Sequence, residues 1–240
     1  MSRNLDRFVD HLRDEGYHPR SDKHSNVLSK AIVDDLLDAC PHLARAAAAG
    51  EVVYDLNFTI ASGTSDWNVD LVLGAPVPGT PPPEHGQAIR RLRPSTVHLA
   101  IEIKSVMTEH RKAVKNRTRD LEAHHEHVHR YNARTIAGGV LVVNQAATFR
   151  SPLRSGVTQH RKPKDLVAHC LLQVRSITSG TGPDSQGLDA KCALVVEMDN
   201  QDLRTTRLVT EPPAPPVGDP LNYHAFLQTL CTLYRDRFLT

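Results

Sequence analysis

Residues 97–104, VHLAIEIK, are the part of the sequence on which the predicted fold depends most. Apolar side chains alternate with others along it, and a period of two indicates a β-strand. The apolar side chains point to one face of that strand: Val97, Leu99, Ile101 and Ile103. The opposite face carries His98, Ala100, Glu102 and Lys104. Residues two apart on a strand share a face, so Glu102 and Lys104 project side by side.

Two earlier stretches alternate in the same way: VVYDLNFTI (residues 52–60) and WNVDLVLG (residues 67–74). The first predicts one apolar face formed by Val52, Tyr54, Leu56, Phe58 and Ile60. The second predicts an apolar face formed by Trp67, Val69, Leu71 and Leu73, with Asp70 on the other face. A turn at residues 61–66 joins the two strands. If the second strand lies beside residues 97–104, Asp70 can point to the same face as Glu102 and Lys104.

Helical patterns flank these strands. The predicted helices are 3–14, a helix capped by Ser25 or Asn26 that stops near Pro41, 107–133 (ended by Gly138 and Gly139), 165–177 and 220–237. The later strands are 139–144 and 192–198, and long loops fall at 75–95 and around 180–187. Three consecutive strands predict an antiparallel meander, and the strand–helix–strand unit after it predicts a parallel crossover. The predicted fold class is therefore α/β, with a mixed central β-sheet flanked by helices.

The length of 240 residues predicts a single domain, 1–240, with a core at about 25–145 and additions at 146–240. Hydrophobic residues make up 40% and charged residues 23%, which is typical of a soluble globular protein. No apolar run is long enough to span a membrane or to form a signal peptide, so we expect a cytoplasmic protein. The cysteines form no Cys-x-x-Cys pair and are expected to be buried and reduced: Cys40, Cys170, Cys192 and Cys231.

Asp70, Glu102 and Lys104 would bring two carboxylates and an ammonium group together, which suits phosphodiester hydrolysis. Carboxylate oxygens are ligands that Mg²⁺ prefers, and Mn²⁺ is expected to substitute. Such a metal polarises the phosphate and acidifies a bound water. Lys104 could orient or deprotonate that water and neutralise developing charge. The backbone carbonyl of Ile103 is a further candidate metal ligand.

The pattern of Asp70 followed by Glu102-Ile103-Lys104, each on a hydrophobic strand, resembles the PD-(D/E)XK nuclease superfamily. That superfamily includes type II restriction endonucleases, repair nucleases and junction resolvases. The predicted order over roughly residues 25–145 also resembles its core of a helix, a three-strand meander, a helix and a strand. The resemblance implies that Asp70 and Glu102 bind the metal and that Lys104 is the catalytic lysine. Val69 stands where the motif has a proline.

Members of this superfamily often add an acidic residue from the first core helix. The candidates here are Asp34, Asp35 and Asp38, of which Asp34 and Asp38 share a helix face. The resemblance implies an endonuclease that acts on double-stranded DNA. We interpret it as a sequence-specific restriction enzyme that works as a homodimer.

Two basic segments are candidates for contacts with DNA. Arg111, Lys115 and Arg119 recur on one face at the start of the long helix, whose N-terminus would favour phosphate groups. Residues 150–165 form a second basic stretch, predicted to be flexible, with base-reading candidates Arg154, Gln159 and Arg161. Both patterns are also typical of a solvated protein surface.

Three other functions remain open at this stage. One is a structure-specific repair or junction-resolving nuclease with the same site. Another is a zinc hydrolase, because His125 and His129 lie four residues apart on a helix with Glu126 between them. No third zinc ligand is evident in the sequence. The last is a DNA-binding module without catalytic activity.

Overall fold

The computed structural model describes residues 2–61, 66–180 and 187–239. Most of the predicted turn at 61–66 and of the predicted loop around 180–187 lies outside these residues. The helices are α1 (Arg3–Glu15), α2 (Lys23–Ala39), α3 (Pro41–Ala48), α4 (His110–Tyr131), α5 (Pro163–Ser176) and α6 (Tyr223–Phe238). The strands are β1 (Val53–Ala61), β2 (Asp66–Ala75), β3 (Arg90–Arg91), β4 (Thr96–Val106), β5 (Ile136–Asn144), β6 (Thr148–Arg150), β7 (Val157–Gln159), β8 (Ala190–Glu197) and β9 (Arg207–Val209). No helix within the described ranges is long and apolar enough to cross a membrane.

Seven of the described strands form one mixed sheet in the order β3-β1-β2-β4-β5-β8-β9. Strand β2 is antiparallel to both β1 and β4, whereas β5 is parallel to both β4 and β8. The predicted meander and the parallel crossover through α4 are therefore confirmed, as is the α/β class. Strands β6 and β7 form a separate hairpin.

Each face of the sheet buries its own apolar core. On the first face, α1, α2, α3 and α6 cover a core that includes Leu36, Leu71, Ile101 and Phe226. On the second face, α4 and α5 cover a core that includes Val72, Val114, Leu121 and Val174. The helices thus flank the sheet on both sides, and strand β4 in its middle is shielded from solvent along most of its length.

The side-chain alternation of β1 and β2 slips by one residue in the middle of both strands. Leu56 packs on the first face and Phe58 on the second, although they lie two residues apart on β1. On β2, Leu71 packs on the first face and Val69 on the second. The prediction of one continuous apolar face on each strand is therefore wrong. The physical reason is the left-handed backbone of Asn57, whose φ of 54° breaks the regular pleat.

Several element boundaries also differ from the predicted ones. Pro41 begins α3, because proline suits the first position of a helix, whose amide needs no partner. Gly138 and Gly139 lie inside β5 and do not end a helix. A Cβ on Gly139 would lie 2.6 Å from Leu188, so this glycine allows close packing. The basic stretch at 150–165, predicted to be flexible, instead contains β7 and the start of α5.

Two of the four cysteines are not the reduced side chains that the sequence predicted. Cys40, at the end of α2, forms a disulfide with Cys231 on α6, with a Cα–Cα distance of 5.4 Å. Their separation of 191 residues gave no spacing pattern to read, and only the packing of α6 on α2 brings them together. Cys170 and Cys192 are buried thiols, as predicted.

We expect reduction of this disulfide to destabilise the fold substantially. It closes a loop of 191 residues, for which the chain-entropy model gives about 5 kcal/mol of stabilisation. Urea unfolding of the wild type with and without dithiothreitol measures the loss. The variant Cys231→Ser should match the reduced wild type and should not respond to dithiothreitol. Identical midpoints for oxidised and reduced wild type would show that the bond contributes nothing.

The buried histidine His124 links α4 to the middle of the sheet. Its side chain is 0% exposed, and its Nε2 lies 3.1 Å from the carbonyl oxygen of Ala100 on β4. Burial lowers the pKa of His124 from 6.5 to about 3. The folded protein therefore holds this imidazole neutral at pH values where the unfolded chain protonates it.

This depressed pKa predicts a loss of stability in acid. Because the unfolded state binds the proton first, stability falls as the pH drops below about 6.5, and the fall ends only near the folded pKa of about 3. Between pH 7 and pH 5 this one group accounts for about 2 kcal/mol. Urea midpoints of His124→Met should depend less on pH than those of the wild type. The exposed control His85→Met should keep the wild-type slope, and an unchanged slope in His124→Met would contradict the prediction.

Candidate active site

Asp70 lies at a gap in the central sheet. The pairing of β1 with β2 omits Asp70, and the pairing of β2 with β4 begins one residue after it, at Leu71 and Ile101. In the gap, Oδ2 of Asp70 accepts a hydrogen bond from the backbone N–H of Ile103 at 2.8 Å. This bond holds Asp70 against the segment of β4 that carries Glu102.

Glu102 is a buried acid with one unsatisfied oxygen. The residue is 2% exposed, and its Oε1 forms an ion pair with Nζ of Lys104. Its Oε2 is buried and has no hydrogen-bond partner among the described residues. Burial and the charge of Asp70 together raise the pKa of Glu102 to about 7, against the opposing charge of Lys104. A buried oxygen without a partner is costly, and a bound cation is one group that would satisfy it.

Lys104 is the positive charge between the two acids. Its side chain is 22% exposed, so it reaches the edge of the buried cluster. Burial raises the pKa of the Asp70 carboxyl, whereas the Ile103 hydrogen bond and the charge of Lys104 lower it. The three residues that the sequence singled out therefore form one cluster, in which one ammonium group faces two carboxylates.

The first turn of α2 forms a further wall of this cluster. The helix begins at Lys23 with Asp22 as its N-cap, and not at the predicted caps Ser25 or Asn26. Burial and the negative charge of Asp22 raise the pKa of Asp70, whereas the nearby Ser25 hydroxyl lowers it. The start of α2 is therefore electrostatically coupled to the candidate site.

The predicted third acid from this helix does not join the cluster. Asp34 forms an ion pair with Arg7 at 3.1 Å. It lies nine residues beyond Ser25, which is about 13 Å along the helix axis. Asp38 lies a further turn away, and both acids line a separate cavity of about 540 Å³. Asp35 is buried and accepts hydrogen bonds from other elements of the first-face core.

Sequence reasoning missed Asn57 as a residue of the site. Its Nδ2 donates to Oδ2 of Asp22 and to Oδ1 of Asn26, each at 3.2 Å. The sequence feature that could have revealed this residue is a polar asparagine in the middle of a strand with alternating apolar side chains. Asparagine is one of the few residues that tolerate a left-handed backbone, so its presence there indicates an irregular strand.

The donors in the cluster fit a hard divalent cation such as Mg²⁺. They supply two carboxylates, one of which has an oxygen with no hydrogen-bond partner in the described ranges. No group of three or more His, Cys, Asp or Glu side chains among residues 2–61, 66–180 and 187–239 is arranged to hold a metal. The remaining coordination positions would therefore fall to water, substrate or backbone oxygens, as Mg²⁺ commonly allows. The backbone N–H of Ile103 binds Asp70, and the role predicted for its carbonyl stays a prediction.

The candidate DNA-binding residues lie on exposed surface in two elements. Arg111, Lys115 and Arg119 are exposed on α4. Arg154 lies in the β6–β7 hairpin and forms an ion pair at 2.9 Å with Glu109, the N-cap of α4. Gln159, on β7, and Arg161, just after it, are also exposed. The ion pair joins the two basic segments, which the sequence left unrelated.

The histidines considered for zinc are engaged in other contacts. Nε2 of His129 lies 3.1 Å from the buried carboxylate of Asp189, which also forms an ion pair with Arg237. The His125 ring lies within hydrogen-bond distance of the backbone N–H of Gly187. The nitrogen of His129 that contacts Asp189 is thus part of an ion-pair network that ties α4 and α6 to the start of β8.

Comparison with known proteins gives no relative. No protein-family model matches the chain, and neither a curated protein nor a solved structure matches it.

The electrostatics of Glu102 predict that its neutral amide variant is more stable than the wild type in alkali. The folded pKa of about 7 lies above the ordinary glutamate pKa of 4.5, so ionisation of Glu102 destabilises the fold as the pH rises from 4.5 to 7. In EDTA at pH 8, Glu102→Gln should unfold with a free energy about 3 kcal/mol higher. The gain should shrink toward pH 5.

Urea unfolding at the two pH values measures this difference. Glu122→Gln, on the exposed face of α4, controls for the removal of a carboxylate and should show no such pH-dependent gain. A Glu102→Gln protein that is no more stable than wild type at pH 8 would mean that ionisation of this carboxylate does not destabilise the fold.

Proposed function

We propose that the protein is a magnesium-dependent endonuclease that hydrolyses phosphodiester bonds in double-stranded DNA. The observation that carries the proposal is the buried Glu102 oxygen, next to Asp70 and Lys104, for which the described residues supply no hydrogen-bond partner. Such an oxygen lowers the stability of the fold, whereas a bound cation would satisfy it. The order α2, β1, β2, β4, α4, β5 supports the resemblance to the PD-(D/E)XK core.

Each side chain of the cluster has a separate role in the proposed reaction. A bound Mg²⁺ would polarise the scissile phosphate and lower the pKa of a water molecule. Asp70 and Glu102 would hold the cation through their carboxylates, in the gap between β2 and β4. The ammonium group of Lys104 would release Glu102, orient the attacking water and offset the negative charge that develops on the phosphate.

The exposed basic side chains support DNA as the substrate. Those on α4 follow directly after β4, which carries Glu102 and Lys104. Phosphate contacts position DNA without reading its sequence, so α4 suits backbone binding. The β6–β7 hairpin, with Arg154 and Gln159, is the better candidate for reading bases. We propose a restriction enzyme that acts as a homodimer, because one site per subunit then cuts each strand.

Incubation with plasmid and genomic DNA tests the activity. We expect cleavage in Mg²⁺ or Mn²⁺ and none in EDTA, with discrete bands if the enzyme reads sequence. Cleavage confined to branched or damaged DNA would assign a structure-specific nuclease instead. Binding without cleavage under all metal conditions would overturn the nuclease proposal and leave a DNA-binding module.

The variant Lys104→Ala should lose at least about 100-fold in cleavage rate while still binding DNA, because proton transfer and charge stabilisation are lost. Lys191→Ala is the matched control. Lys191 is another half-buried lysine on a central strand, β8, and its Nζ donates to backbone carbonyls such as that of Arg175. Equal rates for the two variants would exclude Lys104 from the reaction.

A further inference from the structure

Arg93 holds its guanidinium group over the ring of Phe58. Its Cζ lies 4.3 Å from the centre of that ring, and its Nη2 lies 3.4 Å from the carbonyl oxygen of Thr59. Arg93 itself is exposed, whereas Phe58 is buried in the second-face core. Two neighbouring residues of β1 therefore fix the position of an arginine that faces solvent.

This arginine lies close to the gap in the sheet at Asp70. Phe58 pairs with Val69 on β2, and Val69 directly precedes Asp70 in the chain. Paired residues on antiparallel strands have Cα atoms about 5 Å apart, and consecutive Cα atoms are about 3.8 Å apart. The Cα atom of Phe58 therefore lies within about 10 Å of the Cα atom of Asp70.

Phe58 projects to the same face of the sheet as the β4 residues of the candidate site. On β4, Ala100 packs into the second-face core, and the strand pairs regularly with β5 across this region. Glu102 and Lys104 follow Ala100 by two and four residues, so they project to that face as well. The guanidinium group of Arg93 thus lies on the face of the sheet that carries both side chains.

The contacts of Arg93 leave its charge and most of its donors for a ligand. They are an aromatic ring and a carbonyl oxygen, and Arg93 forms no ion pair within the described part of the chain. A guanidinium group stacks through its flat face and donates hydrogen bonds through its edge. Stacking on Phe58 therefore restricts the long side chain while the edge keeps N–H groups for a ligand. Such a charged fork suits the oxygens of a phosphate group.

We propose that Arg93 binds a backbone phosphate of the DNA at the site formed by Asp70 and Glu102. The role rests on the proposed function. Asp70 lies on β2, between β1 on one side and β4 on the other. The basic helix α4 packs on β4, whereas Arg93 packs on β1. DNA at the site is then held from both sides of the gap, by contacts that position it without reading its sequence.

Binding of a fluorescein-labelled DNA duplex in EDTA, measured by anisotropy over a range of salt concentrations, tests this role. A phosphate contact releases counterions, so Arg93→Gln should lower the slope of log affinity against log salt concentration by about 0.9. Affinity should fall about tenfold, and equally for duplexes of different sequence. Arg93→Lys keeps the charge and should keep the wild-type slope.

Arg134→Gln is the matched control. Arg134 is also exposed and also stacks on a phenylalanine, with Cζ 5.3 Å from the centre of the Phe238 ring. It lies before β5, five residues ahead of Gly139, which pairs with Glu102. Its substitution should leave the slope unchanged. A wild-type slope in Arg93→Gln, or an equal decrease in Arg134→Gln, would overturn the phosphate contact.

The two proposals fail in different ways. A wild type that cleaves DNA, together with an unchanged slope in Arg93→Gln, would refute the phosphate contact and keep the nuclease. A wild type that binds DNA and never cleaves it, together with the lower slope in Arg93→Gln, would refute the nuclease and keep the contact. A wild type without affinity for DNA would refute both.

Discussion

The burial of the Glu102 carboxylate beside Asp70 is the constraint on which the rest of the site depends. Taking a carboxylate out of water is unfavourable, and placing a second one beside it adds repulsion. The protein offsets part of this cost with the Lys104 ion pair to Glu102 and with the backbone hydrogen bond from Ile103 to Asp70. Within the described part of the chain, one oxygen of Glu102 has no hydrogen-bond partner. The fold therefore holds its two acids in a state that a cation would stabilise.

The surrounding sheet supplies the geometry for this arrangement. Regular pairing at Asp70 would use its backbone in the ladder and fix its side chain on one face of β2. The left-handed backbone of Asn57 interrupts the pairing, and Asp70 instead accepts a hydrogen bond from the backbone N–H of Ile103 across the gap. Dense cores on both faces hold the strands on either side, so the irregularity stays local.

The sequence predicted the parts of this structure that depend on local pattern. The period of two along β4 placed Glu102 and Lys104 together, and the order of elements gave the meander and the crossover. The change of face at Asn57 could not be predicted from hydrophobicity. Apolar residues continue at every second position before and after Asn57, although their side chains point to opposite faces of the sheet. The Cys40–Cys231 disulfide and the ion pair between Arg154 and Glu109 join distant segments, which only the packed fold brings together. The helical spacing indicated that Asp34 and Asp38 share a face of α2, but it could not show how far that face lies from Asp70.

We propose that Asp70 and Glu102 bind one divalent cation between them. Crystals grown in Mn²⁺ and measured near the manganese absorption edge would locate that cation. We expect an anomalous difference peak in contact with both carboxylates, close to Lys104. Crystals without a peak at this position, or with a peak bound only by His125 and His129, would contradict it.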